Sequence, residues 1–314
     1  MIGRRFRRAY ALRNLMPPKV TLLTFYTEGP PLDHGLPLAH VNRVFEDFVA
    51  PHVDEYLAFT PRQLASLGPE AAASCADHTQ WLAEHPRRHE LGRYNQGWAR
   101  VGFQRWKSLI IRHVLERDDL QPGDLVLYHD VNWMRYPQYL VGIPEWRRLC
   151  SAILDALGCD VFAPAGLHMY RDVKASLIRR YLPDADKFQW GVWTGLVVLR
   201  KSPQSLAFAR EWAEMCADLD NSSPLPDPAP HRHIIHHSVD QSVLGVLAQR
   251  WKREGRLPKD WPRFGEGNRV FDAGMLERIV KPPTAAQIAK QRLLWVLPPS
   301  LRDKLTRVRA ALRE

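Results

Sequence analysis

Several whole classes of protein are excluded by what this chain lacks. It has four cysteines in 314 residues (Cys75, Cys150, Cys159, Cys216), with no C-x-x-C pair and no metal-binding spacing. A disulfide scaffold and a zinc ribbon are both ruled out by that pattern, and burial as reduced thiols in a cytoplasmic protein is the expectation. Long apolar runs are missing too. Residues 293–297 form one of the longest, far short of the roughly 20 residues that span a bilayer. The basic start, MIGRRFRRAYALRNLMPPKV, has no extended apolar stretch and does not read as a secretory signal. There is no internal repeat, no H-E-x-x-H pattern and no recognised nucleic-acid-binding motif.

Acid is absent from residues 1–19, which hold six basic side chains. Residues 277–314 hold nine basic and three acidic side chains, and the stretch between holds 29 basic and 31 acidic. The net charge of +10 therefore belongs to the two ends and not to the body. Basic ends suit a polyanion or an anionic membrane surface, or are simply solvated. Nucleic acid is not expected as a partner.

A chain this long buries a sizeable core. Residues 20–26 (VTLLTFY) read as a first strand, 38–49 as a helix and 56–59 as a second strand. Residues 61–90 suit short helices, and 92–102, with three glycines, a loop. Phe103, Trp106, Ile110 and Val114 share one helix face. Gly123 and Asp124 then launch the apolar run 125–128, which reads as a buried strand of a parallel sheet. Helices over 144–157 and 171–182 alternate with strands over 159–163 and 195–199. Ser202 and Pro203 start a helix carrying Leu206, Ala209, Ala213 and Cys216 inward. Residues 218–237 form a Pro/Ser/His-rich loop, and a helix runs from Ser238 to about Trp251. Such alternation predicts an α/β fold with a mostly parallel sheet covered on both faces.

Three segments are expected: a basic segment 1–18, a domain 19–275, and a basic helical extension 276–314. In the extension, Leu301, Leu305, Val308 and Leu312 make an apolar stripe flanked by basic residues. It suits an anionic membrane, or packing against the domain or a partner.

Chemistry enters where the run 125–128 ends on His129, Asp130 and Asn132. Ligands of open α/β sheets bind beyond the carboxyl ends of strands. A carboxylate there, with a second oxygen two residues on, suits a divalent cation carrying a phosphate. The alternative is a strand ending in polar turn residues. His231, His233, His236 and His237 could supply a further ligand, or a His-dependent metal hydrolase, although their spacing is not that of a known zinc motif.

Four windows, GFQRWKSLIIRHVLERDDLQPGDLVLYHDVN, HMYRDVKASLIRRYLPD, FQWGVWTGLVVLRKSPQSLAFAREWAEMC and HHSVDQSVLGVLAQRW, resemble in order and character bacterial sugar-nucleotide glycosyltransferases of the GT-A fold, the kind that build surface polysaccharides. The resemblance covers roughly residues 19–273. It rests on the aromatic-Lys pair at Lys107, the strand-end acid Asp130, the Arg171-Asp172 segment, Thr194-Gly195 at a strand start and the late Asp240-Gln241 pair. One departure is plain: Asn132 stands where the family pattern has a second acid.

The resemblance implies a single GT-A-like, Rossmann-like domain. It implies transfer of a sugar from a UDP- or GDP-sugar donor to a hydroxyl of a glycan or lipid-linked acceptor. Asp130 and Asn132 would hold Mn²⁺ or Mg²⁺ against the donor diphosphate, the metal acting on the leaving nucleotide. Lys107 and Arg171 would add positive charge there. Asp172 would meet a sugar hydroxyl or orient Arg171, and Thr194 and Gly195 would let the backbone approach the sugar. Thr24 and Tyr26 would line the nucleobase. Asp240 and Gln241 would line the reaction centre, Asp240 binding the acceptor hydroxyl or acting as base. Ser238-x-x-Gln241 also reads as a capping box, which accounts for the same pair structurally. A polyanion- or membrane-binding module without catalysis is the remaining alternative.

Overall fold

The computed structural model describes residues 17–26, 38–76, 84, 102–131, 145–183, 190–224, 227, 237–259, 261 and 286. Residues 1–16 and all of 276–314 except 286 lie outside the described residues, and so do the basic N-terminal segment and the amphipathic stripe.

In chain order the elements are β1 (Val20–Phe25), α1 (Leu38–Phe48), β2 (Glu55–Phe59), α2 (Pro61–Ala65), α3 (Pro69–Ser74), α4 (Trp106–Leu115), β3 (Leu125–His129), α5 (Trp146–Leu157), β4 (Val161–Phe162), β5 (Ala165–His168), α6 (Met169–Asp172), α7 (Ala175–Tyr181), β6 (Trp190–Val192), β7 (Leu196–Arg200), α8 (Pro203–Ala217), α9 (Leu219–Ser222) and α10 (Val239–Arg253). The fold class is α/β. A five-stranded sheet has the order β2-β1-β3-β7-β4, and β5 and β6 form a separate antiparallel ribbon.

Within the main sheet β1 is parallel to both β2 and β3, while β7 is antiparallel to β3 and β4. Four strands thus share one direction and β7 opposes them. Alternation along the sequence implies a mostly parallel sheet, and the main sheet is mixed and mostly parallel. The β5-β6 ribbon accounts for the one reversed strand, because it returns the chain to the carboxyl edge of the parallel strands before β7 begins. Residues 171–182, read as one helix, divide into α6 and α7, with Lys174 standing between them as the non-helical N-cap of α7.

Burial is that of a two-sided sheet. Every residue of β1 and of β3 is buried. Phe25 stacks on Trp106 of α4 at 3.7 Å between ring centroids, and α5 packs against β3, β4 and β7. The capping box at Ser202 forms as read, with Ser205 as its partner and Pro203 in the first turn of α8. Phe208 and Trp251 meet edge-on at 5.0 Å and join α8 to α10.

The edge where the parallel strands begin is tied by backbone hydrogen bonds to acids. Asp124 accepts from the Lys19 amide at 2.9 Å and the Gln121 amide at 2.7 Å, and Asp54 accepts from the Val20 amide at 2.7 Å. These carboxylates close the loops below β1 and β3 and lie at the end remote from Asp130. Replacing Asp124 by Ala leaves two amide donors unpaired and should cost about 1–3 kcal/mol in urea unfolding. Wild-type stability in Asp124→Ala would contradict the role given to this carboxylate.

Candidate functional site

Three separate elements and one loop meet at the carboxyl edge of β1 and β3. Asp130 follows β3 directly, and its amide donates to the Gly195 carbonyl at 2.9 Å. Lys107 is the second residue of α4. Thr194 ends the loop that feeds β7, and Asp240 lies in the first turn of α10. Because β7 runs against its neighbours, its start falls at the edge where β3 ends.

The Lys107 ammonium is the centre of this meeting. It lies 2.9 Å from Asp240 Oδ2 and 3.2 Å from Asp130 Oδ1. It also reaches Thr194 Oγ1 at 3.2 Å and the Thr194 carbonyl at 3.3 Å. The Thr194 hydroxyl donates to Asp240 Oδ2 at 2.6 Å, and the Tyr128 hydroxyl donates to Asp130 Oδ1 at 2.7 Å. The Tyr128 ring lies under the ammonium at 4.9 Å. Lysine has three N–H donors, and four acceptors surround them. One ammonium facing two carboxylates has no positive charge to spare for a diphosphate, so Lys107 acts on the site by holding its acids.

Electrostatics follow from burial. Burial pulls Lys107 toward the neutral amine, but the charges of Asp130 and Asp240 outweigh it and hold the ammonium above its ordinary pKa. Burial pushes the Asp240 carboxyl up, against the pull of Lys107 and the Thr194 hydroxyl. Burial, and then the Asp130 charge, keep the Tyr128 phenol protonated. Exposure falls inward through the cluster: the side chains are 27% exposed for Asp130, 2% for Lys107 and 0% for Asp240. Among the described residues Asp240 Oδ1 has no hydrogen-bond partner.

Backbone strain gathers on both flanks. Among the described residues the non-glycine positive φ values are Phe103 at 49°, Gln104 at 62° and Val239 at 29°. The first two precede the helix that carries Lys107, and the third immediately precedes Asp240. For a β-branched residue such as Val239 this is a true outlier. Strain of this kind costs roughly 1–3 kcal/mol per residue and collects at functional sites.

The capping box read at Ser238 is not formed. Its side-chain oxygen has no partner among the described residues, and its amide instead donates to the Asp172 carbonyl at 3.0 Å and Ser242 Oγ at 2.9 Å. Ser242 Oγ donates in turn to the same Asp172 carbonyl at 2.6 Å. Asp172, itself buried, thereby fixes the start of α10 through its backbone. His237 is spent on the same task. Its Nδ1 accepts from the Lys174 amide at 3.2 Å and its Nε2 donates to the Asn221 carbonyl at 2.7 Å.

The remaining expected residues divide as follows. Thr194 joins the cluster by side chain and Gly195 by its carbonyl, while Gln241 is half-buried beside Asp240. Thr24 lies at the same edge, but strand alternation turns it to the face away from α4, and its buried hydroxyl has no partner among the described residues. Tyr26 is buried and follows β1, its amide donating to the Phe59 carbonyl at 2.8 Å. The backbone of Arg171 lies in α6; its side chain falls outside what is described. Asn132, His231, His233 and His236 lie outside the described residues. One contributor was missed. Tyr128 could have been found, because the i, i+2 spacing to Asp130 puts both on one strand face.

Among the described residues no group of three or more His, Cys, Asp and Glu side chains is gathered for a metal ion. Among the same residues no helix is long and apolar enough to cross a membrane. Comparison with known proteins finds no matching family model, no matching curated protein and no matching solved structure.

Lys107→Met would leave the buried Asp240 carboxylate and the partly exposed Asp130 carboxylate around an apolar side chain. Removing one partner of a buried pair costs about 3–5 kcal/mol. Urea unfolding of that variant should show a loss of this order, partly recovered when Asp240→Asn is added; wild-type stability in Lys107→Met would contradict the ion cluster. The Lys174 amine, lowered by burial to about 8, gives a pH test. Between that value and its ordinary 10.5 the unfolded chain binds more protons. Stability should therefore rise with pH across this window by up to about 1.4 kcal/mol per pH unit relative to Lys174→Met. Parallel pH profiles for the two proteins would refute it.

Proposed function

We propose that this chain is a glycosyltransferase that moves a sugar from a nucleoside-diphosphate donor to a hydroxyl of a glycan or lipid-linked acceptor. The observation that carries the reading is the buried Lys107 ammonium gripping Asp130, Asp240 and Thr194 at the carboxyl edge of the parallel strands. A buried ionic cluster flanked by strained backbone is costly to stability alone and suits a binding or catalytic role. The strand order, with one reversed strand beside β3, is compatible with the Rossmann-like part of a GT-A domain.

The roles follow from exposure. Asp130 is the outward acid, and its contacts with Lys107 and Tyr128 are both made through Oδ1. Magnesium-type ions are held by one or two carboxylates together with substrate phosphates, so Asp130 fits as a protein ligand of Mn²⁺ or Mg²⁺, with Asn132 as its sequence-expected companion. Such an ion would supply Lewis acidity at the diphosphate. Tyr128 and Lys107 hold the Asp130 carboxylate in place. Asp240, with its pKa raised by burial and Oδ1 without a partner among the described residues, fits the base or hydroxyl-binding acid that the reading calls for. In the transfer the bond from the anomeric carbon to the diphosphate oxygen breaks, and its electron pair leaves with the nucleotide. The acceptor oxygen bonds to that carbon and gives its proton to the base. The basic ends would hold the enzyme to the anionic cytoplasmic face of a membrane, near a lipid-linked acceptor.

A donor screen by thermal shift tests this. UDP- and GDP-sugars, with and without Mn²⁺, should raise the Tm of the wild type by mass action. Asp130→Asn should remove the Mn²⁺-dependent part. Silence from every nucleotide sugar would move the reading to a polyanion- or membrane-binding module.

A further inference from the structure

One buried imidazole joins three segments just before the most deeply buried acid of the site. His237 lies shortly ahead of Asp240 in the chain, and both of its ring nitrogens are engaged. Nδ1 meets the Lys174 amide at 3.2 Å, and Nε2 meets the Asn221 carbonyl at 2.7 Å. A backbone amide only donates and a carbonyl only accepts. These partners therefore fix the ring as neutral, with its proton on Nε2. A proton added at Nδ1 would set an N–H against the N–H of Lys174.

The contacts around the ring show what it holds. The Asp172 carbonyl takes the Ser238 amide and Ser242 Oγ, and Lys174 gives its own amide to the ring. Lys174 Nζ reaches on to the Asp220 carbonyl at 3.0 Å and Ser223 Oγ at 3.1 Å. Asn221 Nδ2 ties α9 back to the Met215 carbonyl at 2.9 Å. The imidazole thus crosslinks the turn between α6 and α7, the helix α9 and the chain entering α10. Val239, with its φ of 29°, follows directly. Strained backbone persists where its surroundings hold it. Once the crosslink is lost the turn can relax, and Asp240 moves with it.

The charged groups on these elements are Asp172 and Lys174 from the turn, Asp218 and Asp220 around α9, Asp227, and Asp240 in α10. Asp218, Asp220 and Asp227 all act on the Lys174 ammonium, whose pKa burial brings down to about 8. Arg180 from α7 lies 2.6 Å from Asp218, and Arg179 lies 3.6 Å from Asp227. Among all these groups the imidazole is the one whose ordinary range falls between pH 5 and 8. Asp240, pushed up by burial, is the rival that a test must separate from it.

We infer that His237 is a positioning residue: as a neutral imidazole it sets Asp240 against Lys107, and its protonation in mild acid releases the start of α10. The inference rests on the glycosyl-transfer reading for what Asp240 then does, and not for the release itself. The test is amide hydrogen exchange of the segment 238–242 in the full chain, for wild type, His237→Gln and His237→Ala. A glutamine side chain keeps one acceptor and one donor but does not titrate. Relative to intrinsic exchange, wild-type protection should fall about tenfold between about pH 7.5 and pH 5.5. His237→Gln should stay protected within about threefold across that range, and His237→Ala should be unprotected throughout. A fall of equal size in His237→Gln assigns the effect to Asp240 and overturns the inference. So does wild-type protection that does not change with pH. Should His237→Ala fail to fold, the wild type against His237→Gln decides. A wild type that binds no nucleotide sugar sinks the function reading separately and leaves this comparison intact.

Discussion

A single ammonium holds the carboxyl edge of this sheet together. Lys107 Nζ reaches an acid after β3, an acid at the start of α10 and a threonine before β7, and it does so where water is excluded. In a low-dielectric setting these contacts are strong, and the loss of any partner is expensive. The helix dipole works against a cation at the start of α4 and for an anion at the start of α10. The two effects oppose each other across the same ion pair. The carboxylates, more than the helix, hold the lysine where it is.

The surrounding structure is arranged to keep that contact. Gly102 enters α4 with its α-carbon so close to the Ser74 carbonyl that a Cβ would lie 1.6 Å from the oxygen. Phe103 and Gln104 follow in left-handed conformations, and Arg105 ties back to the Gly102 and Ala73 carbonyls at 3.0 and 2.8 Å. On the other flank the Asp172 carbonyl, Ser242 and His237 fix the turn that carries Val239 and Asp240. Each flank is a local anchor followed by a strained residue and then a charged side chain aimed inward. The mostly parallel sheet supplies the rigid floor, and its reversed strand delivers Thr194 to the same edge.

The parts legible in the sequence are those set by local pattern. The run 125–128 announced β3 because a two-sided strand needs continuous apolar side chains, and Asp130 followed from its position at the strand end. Ser202-Pro203 announced α8 because its cap is local. What stayed hidden depends on distant partners. A lysine two residues into a helix reads as a surface charge, and nothing near it in the chain reveals that Thr194 and Asp240 await it. The direction of β7 depends on the β5-β6 ribbon, whose strands are short and carry no clear alternation. Ser238-x-x-Gln241 has the letters of a capping box, but Asp172 and Ser242 compete for the Ser238 amide and win.

The most direct measurement is a crystal structure of the full chain grown with Mn²⁺ and a nucleoside diphosphate. The account expects the diphosphate at the carboxyl edge of β1 and β3, beside Asp130, with the Lys107 ammonium still seated between Asp130 and Asp240. A nucleotide bound elsewhere, or a Lys107 side chain turned out to solvent, would contradict it.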